Sequence, residues 1–335
     1  MAHRIRINDR HDLICPPGVP ILSAGREAGF GFPHACRNGV CERCQGRLIA
    51  GAVRQRRGAS PDRLIHAGDA RADRVLYCVA IPISDCEIEV PEITAPGELP
   101  VHRLQCQILR REPLNHDVTR VALRLPAGRT VRWFAGQYLI LELEHGSYPF
   151  SIANAPGGRE LELHVRHGND NSAAHAIMAD LDEQATVAVT LPEGKRFIDG
   201  APERPLWFIC GSTGFAPVKA MIERLIQLDY RLPVRLFWGA RTERDLYLPD
   251  LPARWGEQLR DFHAVTALSD ISKPGHARGL VHEAALEALA EPREPLFYLG
   301  GSPAMAWAVF DALVEEGVPA ENIHSDVFDY APREG

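Results

Sequence analysis

His34-Ala35-Cys36-Arg37-Asn38-Gly39-Val40-Cys41-Glu42-Arg43-Cys44 sets three cysteines at the spacing C-x4-C-x2-C, and Cys78, in Val75-Leu76-Tyr77-Cys78-Val79, supplies a distant fourth thiolate. That spacing is the ligand pattern of a plant-type [2Fe–2S] cluster. Three ligands come from one loop because the loop must wrap two irons. Gly39 stands where backbone amides have to approach sulfur closely, and hydrogen bonds from such amides tune a cluster's potential. Structural zinc is the alternative, but zinc usually takes two close cysteine pairs, whereas here the fourth cysteine stands alone. The metal ligands read from the sequence are therefore Cys36, Cys41, Cys44 and Cys78.

The other four cysteines, Cys15, Cys86, Cys106 and Cys210, are scattered, which argues against a disulfide framework. Cys86, close to Cys78, reads as a small core residue of a closing strand rather than a ligand. The 335 residues are 45% hydrophobic and 24% charged, an ordinary globular composition with length for two or three domains. A net charge of −7 gives no reason to expect nucleic-acid binding, and no apolar run approaches the roughly 18 residues a membrane span needs. The first seven residues alternate like a strand and lack the apolar segment of a secretory signal. A reducing cytoplasm is the expected compartment.

Two stretches rich in proline, glycine and charge, 91–100 and 199–205, break the apolar patterning and read as linkers. They divide the chain into segments 1–94, 101–198 and 203–335. The first holds all the patterned cysteines, short strands at 4–7 and 85–90 and a helix at 21–28, a small α+β unit. The second carries strand-like runs at 104–109, 118–125, 138–143, 161–165 and 186–190, which suggests a small antiparallel barrel. The third alternates strands at 206–210, 234–238, 264–268 and 296–299 with helices at 216–228, 280–290 and 303–316, which implies a doubly wound parallel sheet.

Within the second segment, Gly136-Gln137-Tyr138 opens a strand, followed by Tyr148-Pro149-Phe150-Ser151-Ile152-Ala153-Asn154 and by Leu161-Glu162-Leu163-His164-Val165-Arg166. Read alone, 148–154 is an ordinary barrel strand with a proline at its edge, and His164 alternates outward as a surface residue would. Together with the cysteine loop, however, these segments resemble the ferredoxin-reductase superfamily, and especially its fusions of a plant-type ferredoxin to a reductase, such as deoxysugar-pathway reductases and bacterial oxygenase reductase components. The likeness covers essentially the whole chain. It implies a β-grasp [2Fe–2S] domain, an antiparallel β-barrel that binds FAD and an α/β domain that binds NADH or NADPH. In that family the motif R-x-[YF]-S packs an aromatic ring on the flavin, sets a serine near flavin N5 and brings an arginine to the diphosphate. Phe150 and Ser151 match, but Tyr148 holds the arginine's place, which leaves FAD against FMN open. The resemblance gives the missing charge to Arg166 and to amides near Asn171-Ser172-Ala173, where a helix N-terminus would point at phosphate, and gives Pro149, His164 and Val165 flavin contacts.

After the strand 206–210 comes Gly211-Ser212-Thr213-Gly214-Phe215-Ala216-Pro217, a glycine-rich turn leading into an amphipathic helix, the arrangement that receives a diphosphate on backbone amides. It resembles the family's G-G-T-G-x-A-P turn, which marks Gly211, Thr213, Gly214 and Pro217 as coenzyme contacts. Tyr298-Leu299-Gly300-Gly301-Ser302-Pro303-Ala304-Met305 resembles the C-G-x-x-x-M segment beside the nicotinamide, with Gly300 in the cysteine's place and Gly301 and Met305 matching. The terminal run Ser325-Asp326-Val327-Phe328-Asp329-Tyr330 resembles the family's end, where an acidic residue (Asp326) and an aromatic (Phe328) approach the flavin. With Ser151, Asp326 is the expected catalytic residue. Arg241 and Arg244, past the strand at 234–238, would admit a 2′-phosphate, whereas an acidic residue there would favour NADH.

Hydride chemistry moves two electrons together and the cluster accepts one, so a flavin is the converter between them. The expected activity is that of an NAD(P)H-dependent reductase feeding a protein partner, an oxygenase, hydroxylase or dehydrase component. A free-flavin or ferric reductase and a non-catalytic zinc protein are the rival readings. Segment 1–92 counts 13 Lys+Arg against 11 Asp+Glu. A basic face of Arg37, Arg43, Arg47, Arg54, Arg56 and Arg57 near the cluster would steer an acidic partner.

Overall fold

A computed structural model describes residues 2–56, 62–91, 93–129, 131–168, 172–291 and 294–333, and the chain divides into two compact units, Met1–Val101 and His102–Gly335. In the first unit, β1 (His3–Ile7) sends Arg4 and Arg6 outward and buries Ile5 and Ile7 completely, as period-two alternation requires. A turn through Asn8 and Asp9, both at positive φ, leads into β2 (His11–Cys15). Helix α1 (Ile21–Glu27) buries Ile21, Leu22, Ala24 and Gly25. A side chain at 25 is excluded, because a Cβ there would lie 2.3 Å from Phe32 Cε2. The cysteine loop follows, then β3 (Gln45–Ala50), β4 (Ala52–Gln55), β5 (Arg63–His66), β6 (Val75–Leu76), β7 (Ala80–Pro82) and β8 (Cys86–Glu89). The main sheet runs β2-β1-β8-β3-β6, with β8 parallel to β1 and antiparallel to β3, and β5-β4-β7 form a smaller one. Cys86 is indeed a buried core residue.

The second unit begins with a curled antiparallel sheet. Its strands are β9 (His102–Pro113), β10 (Val118–Arg124), β11 (Tyr138–Leu143), β12 (Gly146–Ser151), β13 (Glu160–Arg166) and, after helix α2 (Ser172–Glu183), β14 (Thr186–Glu193). They lie in the order β12-β11-β14-β9-β10-β13 around Cys106, Val121, Leu123, Leu139, Leu141, Leu161, Leu163 and Val189. The edge strands β12 and β13 form no ladder with each other, so the barrel stays open between them. Pro149, which cannot donate to a ladder, sits on that edge strand, where its missing N–H costs nothing.

The remainder is a parallel sheet. Strand β15 (Leu206–Gly211) feeds α3 (Phe215–Gln227), then come β16 (Val234–Ala240), α4 (Leu251–Gly256), β17 (Phe262–Leu268), β18 (Ala277–Arg278), α5 (Val281–Glu287), β19 (Leu296–Gly300), α6 (Pro303–Glu315), β20 (Ile323–His324) and the one-turn α7 (Val327–Tyr330). The order β18-β17-β16-β15-β19-β20 reverses direction at β15. A doubly wound sheet opens a crevice at such a switch point, beyond the carboxyl ends of its strands. Phe208 and Cys210 bury against α3, while Trp207 and Ile209 bury against α5 and α6. Both faces of the sheet are therefore covered, which explains why its strands read as continuous apolar runs. The elements differ from the sequence reading at their ends: the strand placed at 148–154 is β12, 146–151, because a two-residue turn at Glu144 and His145 starts it earlier, and the helix placed at 280–290 stops at Glu287.

Candidate functional site

In the cysteine loop, Arg37 and Glu42 adopt φ of 59° and Gly39 a φ of 79°. Three left-handed residues so close together turn successive N–H groups inward. The amides of Asn38, Val40 and Cys41 point at the Cys36 thiol, and that of Gly39 at Cys78. Cys36 and Cys41 exchange backbone N–H to Sγ bonds of 3.4 and 3.3 Å at the exposed lip. These donors bring the Cys36 thiol down to about 6, whereas burial, reinforced by Cys44, pushes Cys78 up to about 12. The thiols thus form two pairs, Cys36 with Cys41 and Cys44 with Cys78. A tetrahedral zinc would draw all four sulfurs to about 3.8 Å of one another. Among the described residues no three cysteine sulfurs lie within 4.8 Å, the only such trio of possible ligands being His116, Asp117 and Asp245. Two thiol pairs suit two irons.

In the second unit, a cavity of about 590 Å³ opens between the unpaired edges of β12 and β13 and the carboxyl ends of β15 and β19. From β12 it takes Tyr148, Pro149, Phe150 and Ser151, from β13 His164, Val165 and Arg166, and from the two turns Gly211, Thr213, Gly214, Pro217, Gly300 and Gly301. The start of α2 faces it through Ala173, Ala174 and Ile177, so a helix N-terminus, the end of a helix that favours anions, borders the cavity. Asn171 is outside the described residues. Ser172 begins α2, and its side chain is likewise outside them. The Ser151 hydroxyl makes no hydrogen bond among the described residues, whereas the Tyr148 hydroxyl donates to the His145 carbonyl at 3.3 Å, within its own hairpin. The cleft's cation is Arg166. Its Nε donates to Asp117 Oδ2 at 2.7 Å, which fixes the guanidinium and leaves both Nη groups without a hydrogen-bond partner among the described residues.

Gly214 and Gly300 hold the two turns together. A Cβ on Gly300 would sit 2.3 Å from the Gly214 carbonyl oxygen, and one on Gly214 would sit 2.2 Å from the Gly300 carbonyl carbon. What the sequence suggests is a lost thiol is thus a backbone contact with no room for one. Met305 packs its sulfur against Gly211 and Gly301 from behind. A lobe of about 320 Å³ continues past Ser212 and Ser302 to Met305 and Arg241. At its rim Arg241 Nε donates to Asp270 Oδ2 at 2.9 Å, and Ser269 donates to the other oxygen at 2.7 Å.

The C-terminal segment corrects one assignment. Phe328 turns away from the cleft and packs on Trp307 and Phe310, and the aromatic that α7 offers is Tyr330, 65% exposed. Asp326 lines the cleft, its Oδ1 sealed from solvent and without a partner among the described residues. Burial, with the Asp329 carboxylate nearby, lifts the Asp326 carboxyl to about 7.

His164 is not a surface residue: it is 4% exposed, and its ring lies between Tyr247 Oη (2.9 Å from Nδ1) and Glu162 Oε1 (2.7 Å from Nε2). Burial lowers its pKa, so the ring is neutral, and ionised Glu162 requires the proton on Nε2. Burial alone would raise Glu162, but His164, Lys219 and Arg120 together hold it at about 2. Lys219, 5% exposed, reaches the Ala153 carbonyl at 3.0 Å, Glu223 at 2.8 Å and Glu162 at 3.5 Å. This network joins β13 to α3. The sequence reading passed over it, although a lysine at 219 inside the apolar stripe Phe215, Val218, Ile222, Leu225 was a visible signal.

Comparison with known proteins gives two family models: the 2Fe-2S iron-sulfur cluster binding domain over residues 5–82 and the oxidoreductase NAD-binding domain over residues 208–311. The reductase component 1 of terephthalate 1,2-dioxygenase from Comamonas is 30% identical, covering 99% of each chain. The CDP-6-deoxy-L-threo-D-glycero-4-hexulose-3-dehydrase reductase of Yersinia pestis is 29% identical over 92% of each. Among solved structures, the cytochrome P450 reductase of Amycolatopsis superposes with a TM-score of 0.66 at 26% identity, covering 96% of this chain and 98% of that one.

Proposed function

The chain belongs to the family of NAD(P)H-dependent iron–sulfur flavoprotein reductases, and we propose that its 1–94 segment holds the [2Fe–2S] cluster, 101–198 the FAD and 203–335 the nicotinamide coenzyme. A flavin held there would supply the conversion between the two-electron chemistry of a hydride donor and the single electrons that a cluster on Cys36, Cys41, Cys44 and Cys78 accepts. The observation that carries the reading is the single cleft in which β12, β13, the start of α2 and the two glycine turns meet.

In this reading Phe150 packs on the flavin ring, Ser151 supplies a hydroxyl toward it, and Tyr148 lends packing rather than charge. Arg166 and the start of α2 meet the diphosphate. The main-chain groups of β12 and β13 that face away from their ladders, including those of His164, are free to bond a ligand's polar edge, while Val165 is held in the ladder opposite Thr119 and lends its side of the wall. Gly211, Thr213, Gly214, Pro217, Gly300, Gly301 and Met305 position the nicotinamide, and Asp326 holds or accepts a proton beside it. Because Asp270 already neutralises Arg241 and would repel a 2′-phosphate, NADH is the coenzyme.

The partner we infer is an oxygenase or hydroxylase component, since the terephthalate relative matches over more of the chain than the dehydrase reductase does. Around the cluster loop Arg37, Arg43 and Arg56 are exposed beside Val40, 64% exposed, and form no ion pair among the described residues. Arg47 and Arg54 are spent on Asp73, Glu89 and Asp62, and Arg57 is outside the described residues. An acidic partner surface with an apolar centre fits that face. The test is the visible spectrum of the purified protein: flavin and [2Fe–2S] bands that bleach with NADH are expected, and a colourless, zinc-loaded protein refutes the reading. Cys78→Ser should abolish NADH-driven cytochrome reduction while leaving flavin reduction intact.

A further inference from the structure

A second cavity, of about 500 Å³, shares no lining residue with the cleft or its lobe. Its wall comes from Leu125, Arg129 and 131–134, from the turn 156–159, and from Asp199 and Arg224, so it straddles the barrel and α3. Four arginines face it: Arg129, Arg132, Arg159 and Arg224. Elsewhere on the barrel arginines are answered by carboxylates, as in Arg120 with Glu112 and Glu162 or Arg124 with Glu160. These four form no ion pair among the described residues. Arg159 is held through Nη2 by the Leu125 carbonyl at 2.8 Å, and Arg224 by Gln227 Oε1 at 3.2 Å and the Asp199 carbonyl at 3.3 Å. Neutral acceptors thus tether both guanidinium groups without cancelling their charge.

The one acid in the wall, Asp199, accepts the Gly200 N–H at 2.7 Å. Two further donors of wall residues, Trp133 Nε1 and Arg224 Nε, are buried without an acceptor among the described residues, and Trp133 is 3% exposed. Four cations against one anion, in a chain whose net charge is −7, repel one another unless something neutralises them. Guanidinium forks match oxyanions two bonds at a time. We propose that this cavity binds a compact, multiply charged anion of the phosphate class, which by bridging the barrel and α3 clamps the reductase unit.

The test is calorimetric titration of inorganic pyrophosphate into the protein loaded with flavin and cluster, with saturating NAD⁺ covering the cleft. One site is expected, with a rise in melting temperature. Arg129→Ala/Arg132→Ala, two exposed positions, should weaken binding by at least roughly tenfold, with Arg132→Lys milder, Arg241→Ala without effect, and NADH turnover in the absence of pyrophosphate unchanged. No binding, or equal affinity in the double variant, overturns the proposal. Tighter binding of succinate overturns the phosphate assignment. Loss of an acidic acceptor's reduction in the double variant, where the wild type itself binds no pyrophosphate, marks a protein-docking face instead and also overturns it.

Discussion

Replacing Asp326 by asparagine preserves shape and removes one ionisable group whose surroundings resist charge. Burial and Asp329 lift its pKa from 3.8 to about 7. Between those limits the native state keeps a proton that the unfolded chain has released, so stability falls as pH rises, by about 1.4 kcal/mol per unit. The penalty is absent below pH 3.8, is about 1.6 kcal/mol at pH 5 and reaches about 4 kcal/mol above pH 7. The variant pays none of it. Thermal melts of flavin-loaded wild type and Asp326→Asn should therefore differ slightly at pH 5 and widely at pH 8.5. A unit of this size gains roughly 2–4 °C per kcal/mol, so the wider gap is on the order of 10 °C in favour of the variant. A gap that does not change with pH would refute the reasoning, because it requires an Asp326 that ionises normally.

Asp270→Asn should free Arg241 for a 2′-phosphate and raise kcat/KM for NADPH by about 5–30-fold, about 1–2 kcal/mol; steady-state kinetics with both coenzymes check this, and an unchanged ratio counts against the pair. Lys219→Met takes the ammonium from Glu223 and leaves Glu162 to Arg120 and His164, and should cost about 3–5 kcal/mol in urea unfolding, whereas a loss well below that range would mean the network is solvated. Gly300→Cys must push the Gly214 turn aside, so KM for NADH should rise roughly tenfold or more with FAD content retained; unimpaired kinetics would show that the turns are not in the contact described.

The cluster loop was legible because its chemistry is local: cysteine type, spacing and Gly39 sit in one short run. The glycine turn after β15 was legible for a similar reason, since strand, turn and helix are contiguous. What could not be read are pairings that depend on register or crossover. Arg166 meets Asp117 only because β10 and β13 are neighbours, Arg241 meets Asp270 only because β17 lies beside β16, and Glu162 meets Lys219 only where the barrel touches α3. The short α7 shows how small a rotation decides a role. Two residues separate Phe328 from Tyr330, and that step sends the first into the α6 packing and the second toward the cleft.

The buried Glu162, His164, Lys219 and Glu223 network also sets where this molecule can be recombined. Exchanging the coenzyme half for that of a relative brings a new α3 and a new residue at 247 against an unchanged β13. A graft without the lysine, the glutamate and the tyrosine leaves Glu162 to Arg120 and His164 alone and the ring of His164 without its hydroxyl partner, and removing one partner of a buried ion pair costs about 3–5 kcal/mol. Chimeras cut in the linker at 199–205 should therefore survive only when positions 162, 164, 219, 223 and 247 travel together, as a five-residue compatibility code for the graft.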